Sequence, residues 1–241
     1  LGNITDIPGV PPRKDTTGAY GKMQEISKGK GSIVGHWELM GIHTEKPMPT
    51  YPDGFPDEIL EEFKEQTGRG VLGNIAASGT EIIKQLGMRH METGDLIVYT
   101  SADSVFQIAA HEEIVPLEEL YSICRTARAI LKGEHAVGRV IARPFVGESP
   151  ETFTRTSGRH DYPVSAPEST MMDRLLEAGL SVYATGKIDD LFGHRGITRT
   201  HHTVDNKEST DALIRFLDIP FTGLLFTNLI ETDMIYGHRN N

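Results

Sequence analysis

A single cysteine, Cys124, stands in 241 residues, so no internal disulfide can brace the chain. Basic residues are in deficit: 24 Lys and Arg against 34 Asp and Glu leave a formal net charge of −10. An acidic surface of that size disfavours non-specific binding to nucleic acid or anionic membrane, yet leaves room for a local basic pocket and a phosphorylated substrate. No apolar run approaches the length of a membrane span, and no signal peptide stands out. With the lone cysteine, this sets the expectation of a cytoplasmic protein. Internal repeats and low-complexity tracts are absent. What is present is ordinary for a soluble globular protein, 38% hydrophobic and 24% charged. The length allows a real core in one large domain or two smaller ones.

Residues 1–20 are rich in Gly, Pro and charge and read as loop, followed by a short strand over Tyr20–Ile26. Prolines between Met48 and Pro56 break regular structure and mark a domain boundary. Pro56 then opens a helix over Asp57–Gln66, with Ile59, Leu60 and Phe63 on one face. Val71-Leu72 suits a short strand. Thr80 caps a helix reaching Leu86, and Leu96–Thr100 is a buried strand. The clearest helix starts at Pro116, with Leu117, Leu120, Cys124, Ala127 and Leu131 recurring every three or four residues. Cys124 therefore reads as a small core residue. A strand over Val137–Phe145 precedes a long ordered loop, Gly147–Pro167. Helices over Ser169–Ala178 and Glu208–Leu217 then alternate with strands over Leu180–Thr185 and Phe221–Leu229. That alternation predicts an α/β protein.

Chemistry-bearing residues collect at the ends of these elements, and each has a plainer alternative. Asp233 and His238 follow a buried strand, where open α/β sheets gather ligands, and the pair suits a divalent transition metal such as manganese. They also suit an exposed surface. Ser32, in a glycine-rich turn before Gly35-His36-Trp37-Glu38, has an accessible hydroxyl that a metal could activate, or is a plain turn serine. Ser101 and Asp103 could grip two sugar hydroxyls, or cap a helix over Val105–Ala110. Arg139 and Arg143 share one face of a strand, a pairing that an anion such as phosphate would reconcile. Arg155, Arg159 and His160 add positive donors nearby in sequence. Lys187 sits just past a strand, where an exposed lysine is the plainer alternative.

Several strings, in order, resemble bacterial phosphopentomutases. They are GHWELMG at Gly35–Gly41, IAASGTEII at Ile75–Ile83, METGDLIVYTSADSVFQIAAHEE at Met91–Glu113 and GRVIARPFVG at Gly138–Gly147. FTRT with GRHDY at Phe153–Tyr162, ATGKIDDLF at Ala184–Phe192 and DMIYGHR at Asp233–Arg239 complete the set. The resemblance implies an alkaline-phosphatase-like α/β/α core, residues 1–46 and 166–241, incomplete here, with an inserted α/β cap at 47–165. It implies an internal piece of a longer enzyme, lacking both ends of the core domain. The activity implied is the interconversion of (deoxy)ribose 1-phosphate and 5-phosphate through a phosphoenzyme. Two divalent ions, of manganese type, and a sugar bisphosphate activator are implied with it. Asp233, His238 and Ser32 match the metal-binding positions, and Ser32 the phosphorylated residue. Ser101, Asp103, Arg139, Lys187, Arg155 and Arg159 match substrate contacts. The family's GKDT motif is Gly29-Lys30-Gly31-Ser32 here, which keeps a hydroxyl and loses a carboxylate.

Overall fold

A computed structural model describes residues 2–29 and 31–232. The strand expected over Tyr20–Ile26 does not form. Tyr20, Met23 and Ile26 are exposed with no strand beside them to pair with, and the Ile26 and Ser27 N–H groups donate instead to the Glu38 carboxylate at 3.0 and 2.7 Å. The first helix is α1, Ser32–Leu39, which buries Val34 and Trp37.

The larger sheet has six strands in the order β1 (Val71–Ala76), β2 (Leu96–Thr100), β3 (Val105–His111), β4 (Arg139–Val146) and β5 (Thr154–Arg155), with β6 (His160–Pro163) also on β4. The β1–β2 and β3–β4 pairs are parallel and the others antiparallel. Two expectations change here. The stretch Val105–Ala110 is a fully buried strand, not a helix. Its Val-Phe-Gln-Ile-Ala-Ala run is flanked on both sides by strands, and that pairing overrides local propensity. The loop expected over Gly147–Pro167 contains β5 and β6, whose polar residues hid an edge pairing.

Alternation along the strands splits the sheet into two faces. Leu96, Val98, Phe106, Ile108, Val140 and Ala142 pack under α2 (Asp57–Thr67) and α4 (Leu117–Ile130). Pro56 precedes α2, Asp57 and Glu58 occupy its first turn, and Gly68 ends it at φ 68°. On α4, the buried stripe Leu120, Ile123, Cys124, Ala127 and Ile130 follows the helical period. The Cys124 thiol is fully buried there, and burial pushes its pKa up.

The opposite face packs Leu72, Ile97, Ala109 and Phe145 against Ile82 and Ile83 of α3, Gly79–Thr93. This helix runs well past Leu86. Gly87 looks like a stop signal in the sequence, but a Cβ there would lie 2.4 Å from the Phe153 ring, so glycine permits a close packing contact. Near its end, His90 is fully buried. Its Nδ1 sits 2.6 Å from the Asp95 carbonyl, and its Nε2 accepts the His111 backbone N–H at 2.8 Å. These bonds tie α3 to the sheet.

The second sheet is fully parallel, with β7 (Ser181–Thr185) between β8 (Arg199–His201) and β9 (Gly223–Thr227). Val182 and Ala184 face a core with Trp37, Met172, Ile188 and Phe192, supplied by α1, α5 (Met171–Glu177) and α6 (Ile188–Leu191). The Trp37 Nε1–H donates to the Leu191 carbonyl at 3.1 Å. Tyr183 faces the other way, 5.1 Å from the Phe216 ring on α7, Asn206–Leu217. Thr170 and Asp173 form a reciprocal capping box at the start of α5.

Candidate functional site

Ser32 is the first residue of α1 and is half-buried. Gly31 before it has φ 129° and ψ 158°, a region open essentially to glycine. The glycine is therefore a backbone requirement of the bend that presents Ser32. At that position Ser32 stands among the unsatisfied N–H groups of a helix start. Its carbonyl lies 2.7 Å from His36 Nδ1, and His36 Nε2 lies 3.3 Å from Asn228 Nδ2, just past β9. A Cβ at Gly186 would stand 2.4 Å from the Asn228 oxygen, so the chain exits of β7 and β9 touch. Lys187 follows at the start of α6, half-buried, and α6 packs against β6. Behind it, Asp189 accepts from His194 Nδ1 at 2.8 Å.

Ser101 and Asp103 lie in the turn between β2 and β3, where the Asp103 N–H donates to Ser101 Oγ at 3.3 Å. With Val105–His111 a strand, the helix-capping alternative falls. The turn is anchored to the start of β4. The Gly138 N–H donates to Ser104 Oγ at 3.2 Å, and the Arg139 N–H to the Ser104 carbonyl at 3.3 Å. A Cβ at Gly138 would stand 3.6 Å from Ile33 Cδ1. The turn holding Ser101 and Asp103 is thus tied to the start of β4 at Arg139, and Ile33, next to Ser32, packs against that start.

Beyond α3, the sheet face it leaves uncovered is polar. Val140 and Ala142 point into the core under α4, which turns Arg139, Ile141 and Arg143 to this side. Asp161 on β6 bridges two arginines here. It accepts from Arg159 Nε and Nη2 at 2.8 and 2.9 Å, and from Arg139 Nη1 at 3.2 Å. Arg143 donates to Gln107 Oε1 at 3.1 Å. Arg143, Pro144, Arg155, Thr156 and Arg159 line a cavity of about 80 Å³. A water takes about 30 Å³ of liquid, so the space suits a group of phosphate size. Among the described residues, Arg143 and Arg155 have no carboxylate within ion-pair distance, and Asp161 is already shared by Arg139 and Arg159.

Burial, with the Arg159 and Arg155 charges adding to it, pushes the Arg143 guanidinium below its ordinary value. The hydrogen bonds that Arg159 donates to the Asp161 carboxylate hold its own guanidinium above the ordinary value. Crowded guanidinium groups around one small space repel one another, and a phosphate that accepts them in bidentate fashion relieves the repulsion.

Asp233 and His238 lie outside the described residues. Among the described residues, no three His, Cys, Asp or Glu side chains are placed to hold one ion. No described helix is long and apolar enough to cross a membrane.

Curated relatives match the chain along its whole length. A phosphopentomutase of Herpetosiphon aurantiacus is 59% identical over 241 residues, covering 100% of this chain and 62% of the relative. One from Caldanaerobacter subterraneus subsp. tengcongensis is 58% identical, covering 100% and 61%, and one from Clostridium novyi is 54% identical, covering 100% and 62%. Along its whole length the chain is homologous to phosphopentomutases. It spans about three fifths of the length of these relatives. No family model matches it.

Several site residues escaped the sequence. Asp161 was visible only as part of the GRHDY string, and its spacing of two from Arg159 was the available signal. Gln107 hid in a segment read as helix. Tyr99 hid in an apolar run, although strand alternation puts it on the same face as Arg143.

Proposed function

We propose that the chain supplies the substrate cap and part of the catalytic core of a phosphopentomutase, an isomerase that interconverts (deoxy)ribose 1-phosphate and 5-phosphate. The observation that carries this reading is a row of four arginines on the open sheet face, of which Arg139 and Arg159 share Asp161 while Arg143 and Arg155 have no carboxylate within ion-pair distance among the described residues. Homology to phosphopentomutases supports a pentose phosphate as the anion. In this reading residues 47–165 form the cap, and 1–46 with 166–241 belong to an alkaline-phosphatase-like core. The six-stranded sheet at 71–163 and the three-stranded one at 181–227 support that division.

Arg155 and Arg159 bind one phosphate of the substrate, while Ser101 and Asp103 hold sugar hydroxyls and Arg139 closes the row. Lys187 approaches from the second sheet. Ser32, at its helix start, is the side chain that carries the transferred phosphoryl group. Phosphorylated Ser32 gives its phosphate to the free end of the pentose phosphate, and the resulting bisphosphate turns over and returns the other phosphate. Positioning and charge complementarity dominate such a transfer. Asp233 and His238 remain the proposed ligands of divalent cations. The cap excludes water, which would otherwise intercept the phosphoenzyme.

Phosphorus NMR of ribose 1-phosphate incubated with the protein and manganese tests the reading. Ribose 5-phosphate is the expected product. Free phosphate without ribose 5-phosphate would assign a phosphatase instead.

A further inference from the structure

The hydroxyl of Tyr99, unlike its ring, adds nothing to the packing around it. The residue is 1% exposed and lies among Ile97, Ala109, Phe145 and Phe153. Its hydroxyl is buried and has no hydrogen bond of good geometry among the described residues, and the Arg155 guanidinium is the side-chain group near enough to bond it. A buried hydroxyl without a partner is unfavourable, and phenylalanine would fill the same space without that cost. The hydroxyl sits where the apolar half of the sheet face gives way to the polar half. Arg143, Arg155 and Arg159 are the charged groups around it.

Gly79 makes the geometry specific. A Cβ built there would lie 1.8 Å from Arg155 Nη2 and 2.3 Å from the Tyr99 hydroxyl oxygen. Both polar groups therefore occupy space that any other residue at position 79 would take. Gly79 is also the first residue of α3, whose 15 residues point the positive end of their dipole at this spot. A guanidinium at a helix N-terminus, with two other arginines close by and no ion-pair carboxylate among the described residues, is held against its electrostatic preference. An anion between them reverses the sign of every one of these interactions.

We propose that Tyr99 is a positioning residue: its hydroxyl, over the bare backbone of Gly79, holds the Arg155 guanidinium in the orientation that binds an oxoanion, with Arg143 as a further ligand of that anion. The inference rests on the pentose phosphate reading only for what the anion is attached to; the slot itself takes a phosphate group. Burial keeps the phenol protonated, so it remains a donor as well as an acceptor.

The test is calorimetric titration of the 241-residue chain with inorganic phosphate, set beside thermal unfolding. Wild type binds phosphate. Tyr99→Phe weakens that binding by about tenfold, the scale of one hydrogen bond to a charged group, while its unfolding midpoint stays level or rises. Unchanged phosphate affinity, or a midpoint that falls, overturns the proposal, because the hydroxyl would then serve only the fold. In an Arg155→Ala background, Tyr99→Phe costs nothing further; an additive loss shows that Tyr99 does not act through Arg155. Gly79→Ala displaces the guanidinium and reproduces the Arg155→Ala loss. Should that variant fail to fold, Arg155→Lys, which keeps charge but loses the planar fork, serves in its place with the same expected loss. A wild-type chain that binds no phosphate sinks the slot. If phosphate binds and the variants behave as stated, but ribose 5-phosphate binds no tighter than phosphate, the slot stands and the pentose phosphate reading fails.

Discussion

Acid should loosen α3 through one imidazole. His90 is fully buried, and its two ring nitrogens are committed: Nδ1–H donates to the Asp95 carbonyl and Nε2 accepts from the His111 backbone. A second proton on Nε2 would face an N–H donor. Burial above all, with the His111 and Arg69 charges adding to it, lowers the His90 pKa from its ordinary value of 6.5. The folded imidazole thus resists a proton that the unfolded chain accepts. Stability from this group is fully present above pH 6.5 and is lost as pH falls below it. The linkage slope is at most about 1.4 kcal/mol per pH unit for one group. Between pH 7 and pH 5 the loss from His90 is therefore up to about 2 kcal/mol. The assay is urea unfolding of wild type and His90→Gln at both pH values. At pH 7 the variant is less stable by about 1–3 kcal/mol, because the partners of His90 lose well-placed bonds. At pH 5 the gap narrows by most of the linkage loss, since glutamine cannot titrate. A gap of the same size at both pH values would refute the reasoning.

Two further substitutions probe the packing and the charge row. Gly87→Ala raises intrinsic helix propensity yet destabilises by about 1–3 kcal/mol in urea unfolding, because its Cβ would meet the Phe153 ring; a stabilised variant would show that the contact relaxes freely. Asp161→Asn leaves Arg139 and Arg159 without their shared carboxylate, and since all three side chains are partly exposed the cost is only about 1 kcal/mol. Its phosphosugar affinity falls as Arg159 loses its bidentate anchor, and calorimetry with unaltered affinity would mean that Arg159 takes no part in binding.

Elements with one strong period were legible in the sequence. The α4 stripe and the apolar run of β2 announced themselves because helix and strand burial have different repeats. Errors arose where partners far along the chain decide. Val105–Ala110 carries no alternation because β3 is buried on both faces and flanked on both edges, so its strand character is tertiary. Tyr20–Ile26 has strand-like residues but no neighbour to pair with. Gly87 reads as a break until Phe153 is seen against it. At the site, the one-face placement of Arg139 and Arg143 followed from strand geometry alone. The convergence of Arg155, Arg159 and Tyr99 on the same space could not be read, because it depends on how β5, β6 and the start of α3 meet.

If the arginine-lined sheet face is a phosphosugar site, the phosphate and not the sugar must carry the affinity. Titrating the chain with ribose 5-phosphate, and in parallel with ribose, tests it most directly. Saturable binding of the phosphosugar is expected, with no comparable binding of ribose and a loss of at least about tenfold in Arg155→Ala at unchanged stability. Equal binding of the two sugars, or full affinity in Arg155→Ala, would contradict it.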